Sequence, residues 1–307
     1  MFKKNPKIFL LFLTFLFILY ECKVGEKRWK EELPLSIPLK NFIPPVISLK
    51  CALGHATRLV YNMEEFYKQE LDPRKMQLKC DQDNFNFYIF ENRLISFIGI
   101  DYYSNPRKVN CYLKDKITQK EYEIAQLEIE SFDYPKETLS VDKKRVYLSK
   151  IDQLRADKEK KLLQKIYSNY IFHPLYDKNF ISPLDSKITS YYGTARVYNN
   201  SFKSAHLGTD FRAAIGVKIP SSNAGRVVYA GDLFYTGNTV IINHGLGIFS
   251  MYGHLSEILV KKDDIVKQGQ ILGLSGSTGR VSGPHLHWGV MISNNWVDGF
   301  SLIRANL

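Results

Sequence analysis

From Pro44 to about Glu130 the chain is built of short apolar and β-branched runs separated by turn residues. Val46-Ile47-Ser48-Leu49, Phe85-Asn86-Phe87-Tyr88-Ile89-Phe90, Leu94-Ile95-Ser96-Phe97-Ile98-Gly99-Ile100 and Val109-Asn110-Cys111-Tyr112-Leu113 have the length and composition of strands. Ser104-Asn105-Pro106 separates the last two. Several short strands without helices between them predict a small β-sandwich of immunoglobulin-like type. The period then changes. Ser149 to Tyr167 predicts a helix: Ser149 can cap it, and Ile151, Leu154, Leu162 and Ile166 form an apolar stripe among charges, suited to packing two domains together. From Ile181 onward strand runs alternate with Gly-rich turns, which predicts an antiparallel β domain. The expected fold is therefore mainly β, with an N-terminal segment 1–22, a linker 23–43, an accessory β domain 44–140, a connecting helix and linker 141–180, and a second β domain 181–307.

The first residues change the picture of where such a protein works. Lys3, Lys4 and Lys7 precede an uninterrupted apolar stretch from Ile8 to Tyr20. That stretch is short for a spanning helix, which needs about 20 residues, and has the layout of a signal peptide or membrane anchor. Export to the cell envelope is expected. Cys22 suggests a lipidation site, but Glu21 stands where a lipobox needs a small residue. Among Cys51, Cys80 and Cys111, an oxidising compartment permits one disulfide with one thiol left over, or all three are buried as small apolar groups. The formal charge of +11 favours an anionic partner. No nucleic-acid-binding motif accompanies it, so an anionic wall or membrane surface, or simply a solvated lysine-rich surface, is expected instead.

The candidate chemistry lies near the C-terminus. Four of the seven histidines, His206, His254, His285 and His287, accompany Asp210. Imidazole and carboxylate are the donors zinc takes when it stays hydrolytically active, and no cysteine lies beyond Cys111 to make a closed structural site. In Pro284-His285-Leu286-His287-Trp288, strand alternation puts both imidazoles on one face, their Cα atoms about 6.6 Å apart. His206 and Asp210 would be about 13 Å apart if extended. The chain must bend between them, and Gly208 is where a bend is least costly. Three protein ligands suffice for a catalytic zinc, so two of the five residues are spare, and their spacing leaves open which two. His55, His173 and His244 read as structural or surface residues, His244 in a turn Asn243-His244-Gly245.

His206-Leu207-Gly208-Thr209-Asp210, a distant His254 and Gly283-Pro284-His285-Leu286-His287 together resemble the M23 metallopeptidases of lysostaphin and LytM type. Ile188-Thr189-Ser190-Tyr191-Tyr192-Gly193, Ala224-Gly225-Arg226-Val227-Val228, Gly237-Asn238-Thr239-Val240-Ile241-Ile242 and Gly276-Ser277-Thr278-Gly279-Arg280 extend the match from about Ile181 to the C-terminus. The resemblance implies one zinc ion per chain held by His206, Asp210 and His287, with His254 and His285 as the unligated catalytic pair. It further implies hydrolysis of peptide bonds in bacterial peptidoglycan. Asp263-Asp264 stands where the family often has Gly-Asp, and Ala195-Arg196 where many members carry two arginines. Region 44–140 loosely resembles the domain preceding the peptidase in some members.

Two rival readings follow. Some relatives are non-catalytic regulators of other wall hydrolases, typically having lost ligands that this chain keeps. The stretch Val260 to Gly273 resembles the turn-strand motif of biotinyl and lipoyl carriers, but no lysine on a tight hairpin is evident.

Overall fold

Strands account for most of the regular structure, and they fall in two regions, each with its own core. The computed structural model describes residues 42–139, 148–198 and 202–305. The apolar leader, Cys22 and the linker up to residue 41 lie outside them. The first region comprises β1 (Ile47–Ala52), β2 (Ala56–Asn62), α1 (Glu64–Lys68), β3 (Met76–Cys80), β4 (Asp83–Phe85), β5 (Phe87–Phe90), β6 (Arg93–Gly99), β7 (Arg107–Asp115) and β8 (Glu121–Glu130). A five-stranded sheet, β1-β8-β7-β3-β4, faces a three-stranded one, β2-β6-β5. Between them Leu59, Met63, Phe66, Leu78, Leu94, Ile98, Cys111, Leu113, Ile124 and Leu127 form one apolar core.

Two sheets stacked in this way make a β-sandwich, and the strand pattern differs from the expected one in three details. The run Phe85–Phe90 is two strands, because the chain changes sheets at Asn86, whose carbonyl accepts a hydrogen bond from Ser96 Oγ at 2.7 Å. A short helix, α1, and a turn at Pro73–Lys75 interrupt the strands. Strand β8 hid behind its many charges. Its apolar period shifts at Ile124-Ala125, where a bulge opposite Cys111 and Tyr112 lets both side chains face the core. Cys80 and Cys111 sit opposite each other on β3 and β7 and form the disulfide, leaving Cys51 free and buried.

The second region follows β9 (Lys136–Leu139) and α2 (Lys150–Tyr167). It contains β10 (Ile188–Ser190), β11 (Ala195–Tyr198), β12 (Phe202–Ala205), β13 (Thr209–Arg212), β14 (Lys218–Pro220), β15 (Gly225–Leu233), β16 (Gly237–Gly245), β17 (Ile248–Ile258), β18 (Ile265–Val266), β19 (Ile271–Ser275), β20 (His285–Ile292), β21 (Asn295–Val297) and α3 (Gly299–Ala305). The main path of its ten-stranded sheet is β10-β13-β20-β17-β16-β15-β18. A separate small sheet, β12-β11-β9, borrows β9 from the end of the first region.

The uniform hydrophobicity of Leu94–Ile100 now has a cause. Leu94 and Ile98 enter the first core, whereas Ile95 and Phe97 pack on the second, with Val290, Ile292 and Val297. A strand covered on both faces has no polar side to show. Hydrogen bonds join the regions as well: Asp298 N–H donates to Gly54 O at 2.7 Å and Ala56 N–H to the Ser301 hydroxyl at 2.8 Å.

The helix is where it was expected, with Ser149 Oγ accepting from Asp152 N–H at 3.1 Å. Its stripe is not. Ile151 and Leu154 are 80% and 65% exposed, and the apolar stripe is covered only toward its C-terminal end. There Leu163, Ile166 and Tyr167 cover Ile241, Phe249, Met251 and Met291 on the outer face of the main sheet. The helix thus covers the second region instead of filling the space between the two. Val240 and Ile242 point to the opposite face, so the centre of the sheet is buried on both sides.

Candidate metal centre

Antiparallel pairing of β13 with β20 sets the site. The register places Asp210 opposite His287 and Arg212 opposite His285. As strand alternation requires, Leu286 and Trp288 turn into the core while His285 and His287 stay half-buried on the other face. Gly253 pairs with His287 on the far side, which brings His254 in from β17. His206 arrives just before β13, its own N–H donating to Thr194 O at 3.0 Å and its carbonyl accepting from Gly193 N–H at 2.7 Å.

Three donor atoms converge. His206 Nε2 lies 3.1 Å from Asp210 Oδ1, His287 Nδ1 lies 2.9 Å from the same oxygen, and the two nitrogens are 3.2 Å apart. A tetrahedral zinc with bonds of about 2.0–2.1 Å holds its ligand atoms about 3.3 Å apart. The triangle therefore has close to the edge length a zinc ion needs, and the donor set of two imidazoles and one carboxylate is a zinc set. Around it stand the other two histidines: His285 Nε2 is 3.7 Å from Asp210 Oδ1, and the rings of His254 and His285 are 4.7 Å apart. All five side chains singled out in the sequence meet here.

Carbonyl oxygens fix the histidine tautomers, since a carbonyl can only accept. His206 Nδ1 lies 3.2 Å from Tyr191 O, His254 Nδ1 2.9 Å from Thr278 O, and His285 Nδ1 2.9 Å from Gly283 O. Each ring must donate from Nδ1, which leaves Nε2 as a free lone pair. For His206 that lone pair faces the triangle, the arrangement that raises ligand basicity in metal centres. Burial also favours neutral rings. It lowers the pKa of His206, and it pushes His254 down to about 3 with the neighbouring His287 adding to the effect. Asp210 goes the opposite way from its burial: the His206 and His287 rings beside it hold its carboxyl well below the usual range. His254 takes a left-handed backbone conformation, φ 62°, stabilised by its N–H donating to Thr236 O at 2.6 Å. Such strain in a non-glycine residue is stored where geometry matters.

Gly208 contributes differently from the bend expected of it. Its φ is not in the left-handed region, but a Cβ there would meet His287 Cε1 at 2.4 Å, Nε2 at 2.6 Å and Trp288 O at 3.0 Å. The residue is small because the His287 ring passes over it.

Beyond the five, Ser190, Tyr191, Arg196, Thr236 and Thr278 support the site. Thr236 and Thr278 act through main-chain oxygens, for which a sequence carries no signal. Arg196 Nη2 donates to Ser190 Oγ at 2.8 Å and stands 3.7 Å from Asp210 Oδ2. Ser190 Oγ in turn lies 3.1 Å from His206 Nδ1. The remaining histidines lie elsewhere. His173 is exposed, and His55 is a buried structural residue beside Leu53 O at 3.1 Å. His244 corrects the turn expectation: it is fully buried within β16, bonded to Ala224 O and Ser250 Oγ at 2.7 Å each.

Residues 204–299 match the model of peptidase family M23. The chain carries a peptidase family M23 domain. Over 143 residues it is 41% identical to the peptidoglycan DD-endopeptidase ShyA of Vibrio cholerae, an alignment covering 43% of this chain and 33% of that one. With the peptidoglycan DD-endopeptidase ShyB of the same organism it shares 44% identity over 93 residues, covering 30% and 22% respectively. The match thus spans a third or less of the length of these relatives. A putative peptidase M23 from Pseudomonas aeruginosa has the same fold over a wider span, with TM-score 0.62, 24% identity and coverage of 81% of this chain and 93% of that one.

Proposed function

We propose that this protein is a zinc-dependent endopeptidase that hydrolyses peptide cross-links or stem peptides of bacterial peptidoglycan, and that it works in the cell envelope. The observation that carries the reading is the near-equilateral triangle of His206 Nε2, Asp210 Oδ1 and His287 Nδ1 with two further Nε2 lone pairs beside it. In this reading His206, Asp210 and His287 are the ligands, and His254 and His285 do the proton work. The names of the V. cholerae relatives support the substrate class. An intact set of five supports an enzyme over a regulator that acts through another hydrolase.

When bound, zinc supplies Lewis acidity toward the scissile carbonyl and toward a water molecule. The chain's own residues do the rest. With Nδ1–H committed to the Thr278 and Gly283 carbonyls, His254 and His285 can each accept a proton at Nε2 from the attacking water and return it to the leaving amine. A protonated ring is also a donor for the developing oxyanion. Ser190 Oγ lies against His206 Nδ1 on the far side of the triangle, with Arg196 beyond it. We further propose export through the N-terminal segment and an accessory role for residues 44–140.

The test is zinc content and turnover on purified peptidoglycan, with and without a chelator. His287→Ala loses metal and activity together. His285→Ala keeps zinc, while turnover falls by about 10²–10⁴-fold. Full hydrolysis by the zinc-loaded His285→Ala protein would overturn the assignment.

A further inference from the structure

Arg196 holds an arrangement that the ligand set does not explain. It lies on β11, between β12 and the β9 strand that comes from the accessory region. Of its five N–H donors, only Nη2 has a hydrogen-bond acceptor among the described residues, namely Ser190 Oγ at 2.8 Å. Nε is buried without a hydrogen-bond partner. The nearest acid on that side is Glu137, whose Oε2 is 3.8 Å from Nε, too far for a hydrogen bond. Glu137 is directly opposite Arg196 in the parallel β9–β11 pair, and its side chain is 41% exposed. A half-exposed pair at this distance is a weak one. Nη2 is thus held by Ser190, with Asp210 Oδ2 3.7 Å from the same nitrogen, while Nε and Nη1 have no hydrogen-bond acceptor among the described residues.

We propose that Arg196 is a specificity-determining residue that grips a free carboxylate on the peptide substrate beside the scissile bond, displacing Glu137. A planar, always-charged guanidinium with donors to spare is the group best matched to a carboxylate. With Nη2 3.7 Å from Asp210 Oδ2, a carboxylate on this guanidinium would lie near the reacting centre. Glu137 is the internal carboxylate that shields the donors between substrates. The proposal rests on the endopeptidase reading and sharpens it: the preferred strand is one with an ionised acid next to the cleaved amide.

The experiment uses the zinc-loaded full chain and two synthetic cross-linked stem-peptide dimers, identical except that one carboxylate beside the scissile bond is free or amidated. The wild type is expected to favour the carboxylate form about 10-fold to 100-fold in kcat/KM, the range of a charge-assisted bond with a partly buried partner. Arg196→Gln and Arg196→Lys should bring the two substrates within about threefold, through KM, at unchanged zinc content. Glu137→Gln should lower KM for the carboxylate form. Equal cleavage of both dimers by the wild type overturns the proposal and leaves the endopeptidase standing. Loss of zinc in both Arg196 variants also overturns it, since Arg196 would then serve only Asp210. Cleavage of neither dimer by the wild type removes the endopeptidase reading and this one with it.

Discussion

Gly208→Ala separates a hinge from a clearance. If Gly208 were needed only to let the chain bend, alanine would be tolerated, because its φ is accessible to any residue. Clearance predicts otherwise. The added Cβ would lie 2.4 Å from His287 Cε1 and 2.6 Å from Nε2, whereas carbon contacts become favourable at about 3.5 Å. The ring must retreat by about 1 Å, since the third neighbour, Trp288 O at 3.0 Å, is main chain of β20 and cannot yield. Metal–ligand distances tolerate about 0.2 Å. His287 Nδ1, 2.9 Å from Asp210 Oδ1 and 3.2 Å from His206 Nε2, would therefore leave the triangle. Zinc affinity should fall at least about 10–100-fold and turnover by about 10²-fold. Chelator competition for zinc and peptidoglycan turnover at saturating metal read the two effects separately. Gly216→Ala is the control: φ is +91° and nothing lies within 4 Å, so it should lose about 1–2 kcal/mol of stability while binding zinc normally. A Gly208→Ala protein with wild-type zinc affinity and turnover would refute the clearance argument.

Burial pushes His244 down to about 4 from its ordinary 6.5. Below pH 6.5 the unfolded chain takes up a proton that the folded state refuses until about pH 4, so stability falls across that window, by about 2 kcal/mol at pH 5 from this residue alone. Urea unfolding of His244→Gln should show a shallower loss between pH 7 and 5 than the wild type, and parallel slopes would refute it. The Cys80–Cys111 bond closes a separation of 31 residues, for which chain entropy gives about 3–4 kcal/mol. Reduction, or the double serine variant, should lower the urea midpoint without releasing zinc, and the buried Cys51, its thiol pushed up to about 12, should resist alkylation in the native state. Glu159 Oε2 accepts from Phe234 N–H at 2.7 Å, just ahead of the Thr236 carbonyl that holds His254. Glu159→Ala should therefore lower kcat several-fold at unchanged zinc content, and an unchanged kcat would show that α2 does not brace this loop.

The parts of this protein that repeat with a strand or helix period were legible in advance. Leu286 and Trp288 alternate with His285 and His287, and Ser149 ends a helical pattern, so both elements stand where their periods put them. Failures came where one pattern served two surfaces. Phe85–Phe90 reads as one strand because its two halves have the same composition, yet they belong to different sheets on either side of Asn86. The helix stripe from Ile151 to Ile166 has the right spacing, but spacing cannot say how far along the helix its partner extends. His244 looked like a turn residue because Gly245 follows it. The turn begins only there, and His244 itself closes a buried strand.

The candidate site was legible as a set of residues and opaque as a geometry, and the cause is specific. Three of its four histidines take their tautomer from main-chain oxygens, at Tyr191, Thr278 and Gly283. Any residue type at those positions supplies the same oxygen, so what the site requires there is a backbone path. The Gly-rich stretches Tyr192-Gly193 and Gly276–Gly283 are in this sense parts of the site, although none of their side chains enters it. His287 is the exception. Its Nδ1 faces the triangle, and among the described residues no carbonyl holds its other nitrogen. It depends on the β13–β20 register for position and on the missing side chain of Gly208 for room. A centre whose other rings are locked by carbonyls should thus be most fragile at His287, and the alanine at Gly208 displaces that ring without replacing any of the five site residues.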